Sequence, residues 1–177
     1  DNIAPRYDFL NHFLSLRQDI LWRRKMIGLL DIPKSGRILD VACGTGDVAF
    51  EALKQKGHGI KITGTDFSPG MLRLFDRKIK EKKVQDHITL AAGNALALPF
   101  PDSLFDAVTI AFGIRNIHDK RGALHSFYRC MTKGSMLLIL ELTTPESRFF
   151  RTVYLGYFRK RQPAIGKIFS KNDSAYS

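Results

Sequence analysis

A chain of 177 residues, 44% apolar and 25% charged, is long enough for one α/β core, too short for two comfortable domains, and too apolar for wholesale disorder. No apolar run approaches the roughly 20 residues that a membrane span needs, and no signal-peptide pattern opens the chain. Two unpaired-looking cysteines, Cys43 and Cys130, fit a reducing, cytoplasmic setting, while a formal charge of +11 asks for a polyanionic surface or a solvated basic face.

Apolar residues at helical intervals, Phe9, Leu10, Phe13, Leu14, Leu21, Trp22, Met26 and Leu29, predict two short helices over 4–30, a helical cap of about 1–32 ahead of the core. A turn at 33–36 leads into a strand over 37–42, and a helix over 47–55 is closed by Gly57 and Gly59. A second strand covers 60–65. Ser68 as N-cap with Pro69 at the first helical position starts an amphipathic helix to about Lys82. Strands follow at 88–92 and 107–112, the latter a near-continuous apolar run typical of a parallel sheet buried on both faces. Asp119 caps a helix through Met131, and a leucine-rich and isoleucine-rich strand closes the pattern at 135–142. Such alternation predicts an α/β, Rossmann-like, doubly wound and mostly parallel sheet flanked by helices, with a ligand crevice at the carboxyl ends of the strands.

The stretch RILDVACGTGD at 37–47 is the most informative line of the chain, a buried strand running into a glycine turn between two carboxylates. Gly44 and Gly46 let the backbone approach a ligand closely, and the helix from Asp47 points its free N–H groups at the same place. Asp40 and Asp47 would repel a dinucleotide pyrophosphate and attract the ammonium and sulfonium of S-adenosylmethionine. Asp66 ends the second strand, where its carboxylate can accept from both ribose hydroxyls of an adenosine. The same residues also fit the loose G-x-G-x-x-G/A pattern with an acid about 20 residues on, so a nicotinamide oxidoreductase stands as a competing reading that the charge disfavours. Helix capping or turn formation is the plainer use of Asp40, Asp47 and Asp66.

Cys43 fits the glycine turn by its small size, and no neighbouring histidine activates it as a nucleophile. The five histidines, His12, His58, His87, His118 and His125, lack zinc or iron spacing, which favours a metal-free mechanism. Near the end, Arg148, Arg151, Arg159, Lys160, Arg161, Lys167 and Lys171 interleave with Phe149, Phe150, Tyr154, Tyr157, Phe158 and Phe169 without an intervening acid. That pattern suits an anionic membrane surface or a nucleic-acid backbone, and equally a solvated face over core aromatics.

The segment YDFLN at 7–11 followed by Ser15 and Trp22, GNALALPFP at 93–101, FGIRN at 112–116 and the spacing of Arg129 through Glu141 resemble segments of one group. They are similar to the ubiquinone/menaquinone biosynthesis C-methyltransferase family of class I S-adenosylmethionine-dependent methyltransferases, over nearly the whole chain. Departures accompany the match: Asp19 stands where the family usually has histidine, Thr132 to Ser135 replaces a Lys-Pro-Gly-Gly turn, and Ala111 replaces a serine found in some members. Residues 172–176 are internal in the family, so the resemblance implies a single methyltransferase domain over 1–177 that lacks its closing C-terminal strands.

The resemblance implies S-adenosylmethionine as cofactor, with Thr45, Asp66, Asn94 and Ala95 as contacts. Phe67 would pack on the adenine, Asp40 would serve the methionine end, and Gly44 and Gly46 would form the turn. It further implies ring C-methylation of a polyprenyl quinol in respiratory quinone biosynthesis, with Arg115, Asn116 and Tyr7 around the quinol head. The head group, naphthoquinol or benzoquinol, is left open, as is a homodimer. An arginine stays protonated, so a water oriented by Arg115 is the better proton acceptor, with His118 as a second candidate. The prenyl tail would bring the 149–161 stretch to an anionic membrane, with no specific nucleic acid involved. Another small-molecule methyltransferase, or a non-catalytic domain that binds the donor or nucleic acid, is the alternative.

Overall fold

Residues 18–142 are described by a computed structural model of the chain. Its contacts gather into two units, 1–141 and 142–177, and everything below except Leu142 belongs to the first. The N-terminal part of the expected helical cap and the basic aromatic stretch lie outside the described residues.

Helix α1 (Gln18–Gly28) buries Met26 and Ile27 and, unusually, Asp19. Strand β1 (Arg37–Val41) is buried at four of its five residues because it is central, pairing in parallel with β2 (Lys61–Asp66) on one side and β4 (Phe105–Ala111) on the other. Strand β3 (Ile88–Ala92) and strand β5 (Met131–Leu140) flank these, giving the all-parallel order β3-β2-β1-β4-β5. The alternation of a strand divides β1 between two layers. Ile38 packs with Met26, Ile27, Val48 and Phe75, whereas Leu39 and Val41 pack with Ala123 and Phe127. The chain winds outward one way from β1 and then the other way from β4, so the switch point lies between these two strands.

Capping residues fix the helices that cover the sheet. Helix α2 (Asp47–Lys56) starts at Gly46 with φ 92° and ends at Gly57, whose N–H donates to the Leu53 carbonyl at 3.0 Å. Helix α3 (Pro69–Lys82) is capped by Ser68, whose Oγ accepts from the Met71 N–H at 3.4 Å. Helix α4 (Lys120–Cys130) is capped by Asp119, accepting from the Gly122 N–H at 2.9 Å. These ends agree with the sequence expectation to within a residue or so, because each cap satisfies backbone groups that the helix leaves unpaired.

The last strand departs from expectation. The turn expected at 132–135 is carried inside β5, which begins directly after α4 at Met131. Gly134 takes φ 81°, Ser135 Oγ donates to the Thr132 carbonyl at 2.7 Å, and the register against β4 slips between Phe105 and Ala107. An irregularity of this kind absorbs extra residues without breaking the strand pairing.

Candidate functional site

A cleft of about 570 Å³ opens at the switch point, lined by the ends of β1, β2 and β4 and by the loop after β3. Backbone strain collects there: Ala42, just after β1, has φ 52°, and Phe112, just after β4, has φ 58°. Gly113 fits beneath them, since a Cβ on it would lie 2.7 Å from that of Ala42.

Asp66 ties the glycine turn to the tip of β2. Its Oδ2 accepts from the Gly44 N–H and its Oδ1 from the Ser68 N–H, each at 2.8 Å. Each carboxylate oxygen has a further lone pair to offer a ligand. Gly44 itself, at φ 53°, has nothing within 4 Å of where a Cβ would stand, so the turn presents bare backbone to the cleft.

Asp40 lies deeper, only 1% exposed. Thr109 Oγ1 donates to its Oδ1 at 2.9 Å, and its Oδ2 has no hydrogen-bond partner. Burial pushes its pKa up to about 7, against the opposing pull of the Thr109 hydrogen bond and the Arg23 charge. Thr65 Oγ1, at the end of β2, is likewise buried without a partner.

The outer carboxylate is not a lone negative charge. Arg23 Nη1 stands 3.5 Å and Lys78 Nζ 4.0 Å from the Asp47 oxygens, and Lys78 also donates to Thr45 Oγ1 at 2.7 Å. The ring of acids read from the sequence is therefore compensated on its solvent side by cations brought in from α1 and α3. Two of the expected contact groups also have work inside the chain. Thr45 Oγ1 accepts from Lys78, and Asn94 Oδ1 accepts from the Leu96 N–H at 3.0 Å, closing a local turn.

Asp40, Gly44, Thr45, Asp66, Phe67, Asn94 and Ala95 all line the cleft, with Phe67 81% exposed at its rim. Gly46 does not: it faces the core, where a Cβ would lie 2.0 Å from the Phe75 ring, so its bareness serves packing. Asn116 and His118 reach the cleft, whereas Arg115 lies outside its lining. Glu141 holds Arg115 instead, Oε1 accepting from Nη1 at 2.9 Å and Oε2 from the backbone N–H at 3.2 Å. Tyr7 lies outside the described residues. Cys43 is buried, and desolvation raises its thiol pKa far above the ordinary range, which suits its small-residue role. His58 and His87, far apart in sequence, meet with ring centroids 4.9 Å apart.

Four residues of the site drew no role from the sequence, although the resemblance takes in the spacing of Arg129 through Glu141. Thr109 and Glu141 act through long-range pairs. Arg129 clamps the loop after β3, donating from Nη2 to the Leu98 carbonyl and from Nη1 to the Phe100 carbonyl, each at 2.7 Å. Arg23 had one usable clue, its i, i+4 spacing from Asp19, with which it pairs at 2.5 Å.

Residues 1–177 match the model of the ubiE/COQ5 methyltransferase family. A protein of Geobacter sulfurreducens named ubiquinone/menaquinone biosynthesis C-methyltransferase UbiE is 45% identical over 96% of this chain and 66% of its own length. A demethylmenaquinone methyltransferase of Thermus thermophilus is 44% identical over 98% of this chain and 78% of its own. The chain thus spans between about two thirds and four fifths of the length of these relatives. Among solved structures, a Methanococcus maripaludis protein superimposes with a TM-score of 0.71 at 20% identity, covering 97% of this chain and 76% of that one. A SAM dependent methyltransferase of Aquifex aeolicus gives 0.64 at 18%, covering 71% and 66%. Those structural likenesses speak to the fold, and the sequence matches to the family. This chain belongs to the ubiE/COQ5 methyltransferase family.

Proposed function

We propose that the chain carries the donor site of an enzyme that methylates a ring carbon of a polyprenyl quinol, demethylmenaquinol or the benzoquinol precursor of ubiquinone. The observation that carries this reading is its 45% identity, over 96% of this chain, to a quinone-biosynthesis C-methyltransferase.

The cleft residues fit S-adenosylmethionine. The buried, unpartnered Asp40 Oδ2 is an acceptor awaiting a donor, and an amino-acid ammonium supplies one. Bare backbone at Gly44 admits a ligand at close range, and a volume of about 570 Å³ lies in the range of cofactor pockets. When bound, the cofactor supplies an electrophilic methyl group on a sulfonium. Asp66 accepts from the ribose hydroxyls through the lone pairs that Gly44 and Ser68 leave. Asn94 and the Ala95 amide would hold the adenine by hydrogen bonds, and Phe67, exposed at the rim, would pack against it.

The quinol ring must become electron-rich before its carbon can attack, which loss of a hydroxyl proton achieves. Arg115, paired with Glu141 just outside the cleft lining, is our candidate for stabilising the phenolate charge, with Asn116 of the cleft and, by resemblance, Tyr7 as candidates for the head-group site. The guanidinium stays protonated, so a water that it orients takes the proton. Most of the acceleration would be positional, from binding donor and quinol together in one crevice.

The tail places the substrate in a lipid surface. Among the described residues no helix is long and apolar enough to cross a membrane. The aromatic and basic stretch at 149–161 is our candidate for docking on an anionic bilayer. Flotation with anionic liposomes tests it: changing Arg159, Lys160 and Arg161 to glutamate releases the protein, and unchanged flotation refutes the docking. For the chemistry, incubation with methyl-labelled S-adenosylmethionine and each reduced quinol precursor yields a ring-labelled product. Label that appears only on oxygen, or on neither quinol, would overturn the assignment.

A further inference from the structure

Acidic residues alone make a poor cradle for an amino-acid ligand. An α-ammonium and an α-carboxylate sit on the same carbon, so a site that takes up the first in a buried carboxylate gains from a cation beside it for the second. Among the described residues the cleft has a single lining side chain with permanent positive charge, Arg23, delivered from α1.

Its surroundings fix it. Nη1 donates to Asp19 Oδ2 at 2.5 Å and stands 3.5 Å from Asp47 Oδ2, and the guanidinium carbon lies 5.2 Å over the Phe112 ring. Asp19 is only 3% exposed, a buried carboxylate whose desolvation is offset by this pairing. Both carboxylates engage the same nitrogen, and Nη2 and Nε make no hydrogen bond among the described residues. One edge of the fork is thereby anchored and the other remains for a second carboxylate. Arg23 is also electrically close to Asp40, whose ionisation its charge favours.

Resting on the donor reading of this cleft, we propose that Arg23 binds the α-carboxylate of the methyl donor while Asp40 receives its ammonium. Asp19 is then a positioning residue, fixing the guanidinium in register with the crevice before the donor arrives. No contact of this kind was visible in the sequence, because α1 reaches the glycine turn only through tertiary packing.

Calorimetric titration of the whole chain with two ligands decides the matter: S-adenosylhomocysteine, and its decarboxylated analogue, which keeps the adenosine, thioether and ammonium. Wild type binds the carboxylated ligand more tightly by about 30-fold, a charge-assisted pair's worth. In Arg23→Gln that advantage disappears, while affinity for the decarboxylated ligand changes by less than about threefold. Arg23→Lys recovers part of it, the charge without the fork. Equal weakening of both ligands in Arg23→Gln would mean that Arg23 only braces α1 through Asp19, and would overturn the proposal. So would a wild type that does not distinguish the two ligands, a result that needs no variant to fold. If wild type binds neither, the donor reading itself fails, which separates that failure from this one.

Discussion

Asp40 is kept at a cost that shows in its titration. Its folded pKa of about 7 stands above the ordinary 3.8, so between about pH 4 and 7 the folded chain holds a proton that the unfolded chain has released. Stability contributed at this residue is therefore whole below about pH 4 and falls by up to about 4 kcal/mol as pH rises through 7. Urea denaturation should show Asp40→Asn gaining on wild type from pH 5 to about pH 7 and levelling above it, and a constant difference would remove the burial argument. The same titration governs binding. An ammonium partner prefers the ionised carboxylate, so affinity for S-adenosylhomocysteine should rise from pH 6 to pH 8 in wild type and stay level in Asp40→Asn. The sequence located Asp40, whose strand position sets its burial. Its unpartnered oxygen and its Thr109 and Arg23 neighbours depend on residues up to 69 positions away.

The turn between β1 and α2 separates two uses of glycine that look alike in the sequence. Gly46 sits at φ 92° with the Phe75 ring where a Cβ would be, whereas Gly44 sits at φ 53° facing open space. Gly46→Ala should therefore cost more than about 3 kcal/mol, through clash and strain together. Gly44→Ala should cost about 1 kcal/mol and mainly weaken donor binding. Thermal melts read the first effect and calorimetry the second, and equal melting temperatures for the two variants would contradict this division. Elements with strong local punctuation were legible: Ser68-Pro69, Asp119 and Gly57 announce their helices because capping is a matter of adjacent residues. The start of β5 was not, since Gly134 and its neighbours read as a turn, and only the pairing with β4 draws them into the sheet. Arg115 was placed in the correct loop, but its hold by Glu141 spans 26 residues and has no local signature.

Charge looks different once the chain is folded. From the sequence, three acids around the first crossover suggested a cleft that attracts a cationic donor by its net field. In the structure Asp47 faces Arg23 and Lys78, and Asp40 titrates near neutrality, so the net field is weaker than the count of acids implies. On the proposed reading, selectivity rests on directed groups: the orphan oxygen of Asp40, the bare backbone of Gly44 and the carboxylate of Asp66, which organises the turn through two backbone N–H groups. The topology that gathers them was legible because alternating strands and helices admit few arrangements, and the crevice follows from the switch between β1 and β4. Titration of S-adenosylhomocysteine and of reduced nicotinamide dinucleotide into wild type, Asp66→Asn and Asp66→Ala tests this account most directly. Wild type should bind the adenosyl ligand one to one and ignore the dinucleotide, with Asp66→Asn weaker by about tenfold and Asp66→Ala by about 100-fold. Dinucleotide binding in the cleft, or adenosyl affinity that survives both substitutions, would contradict it.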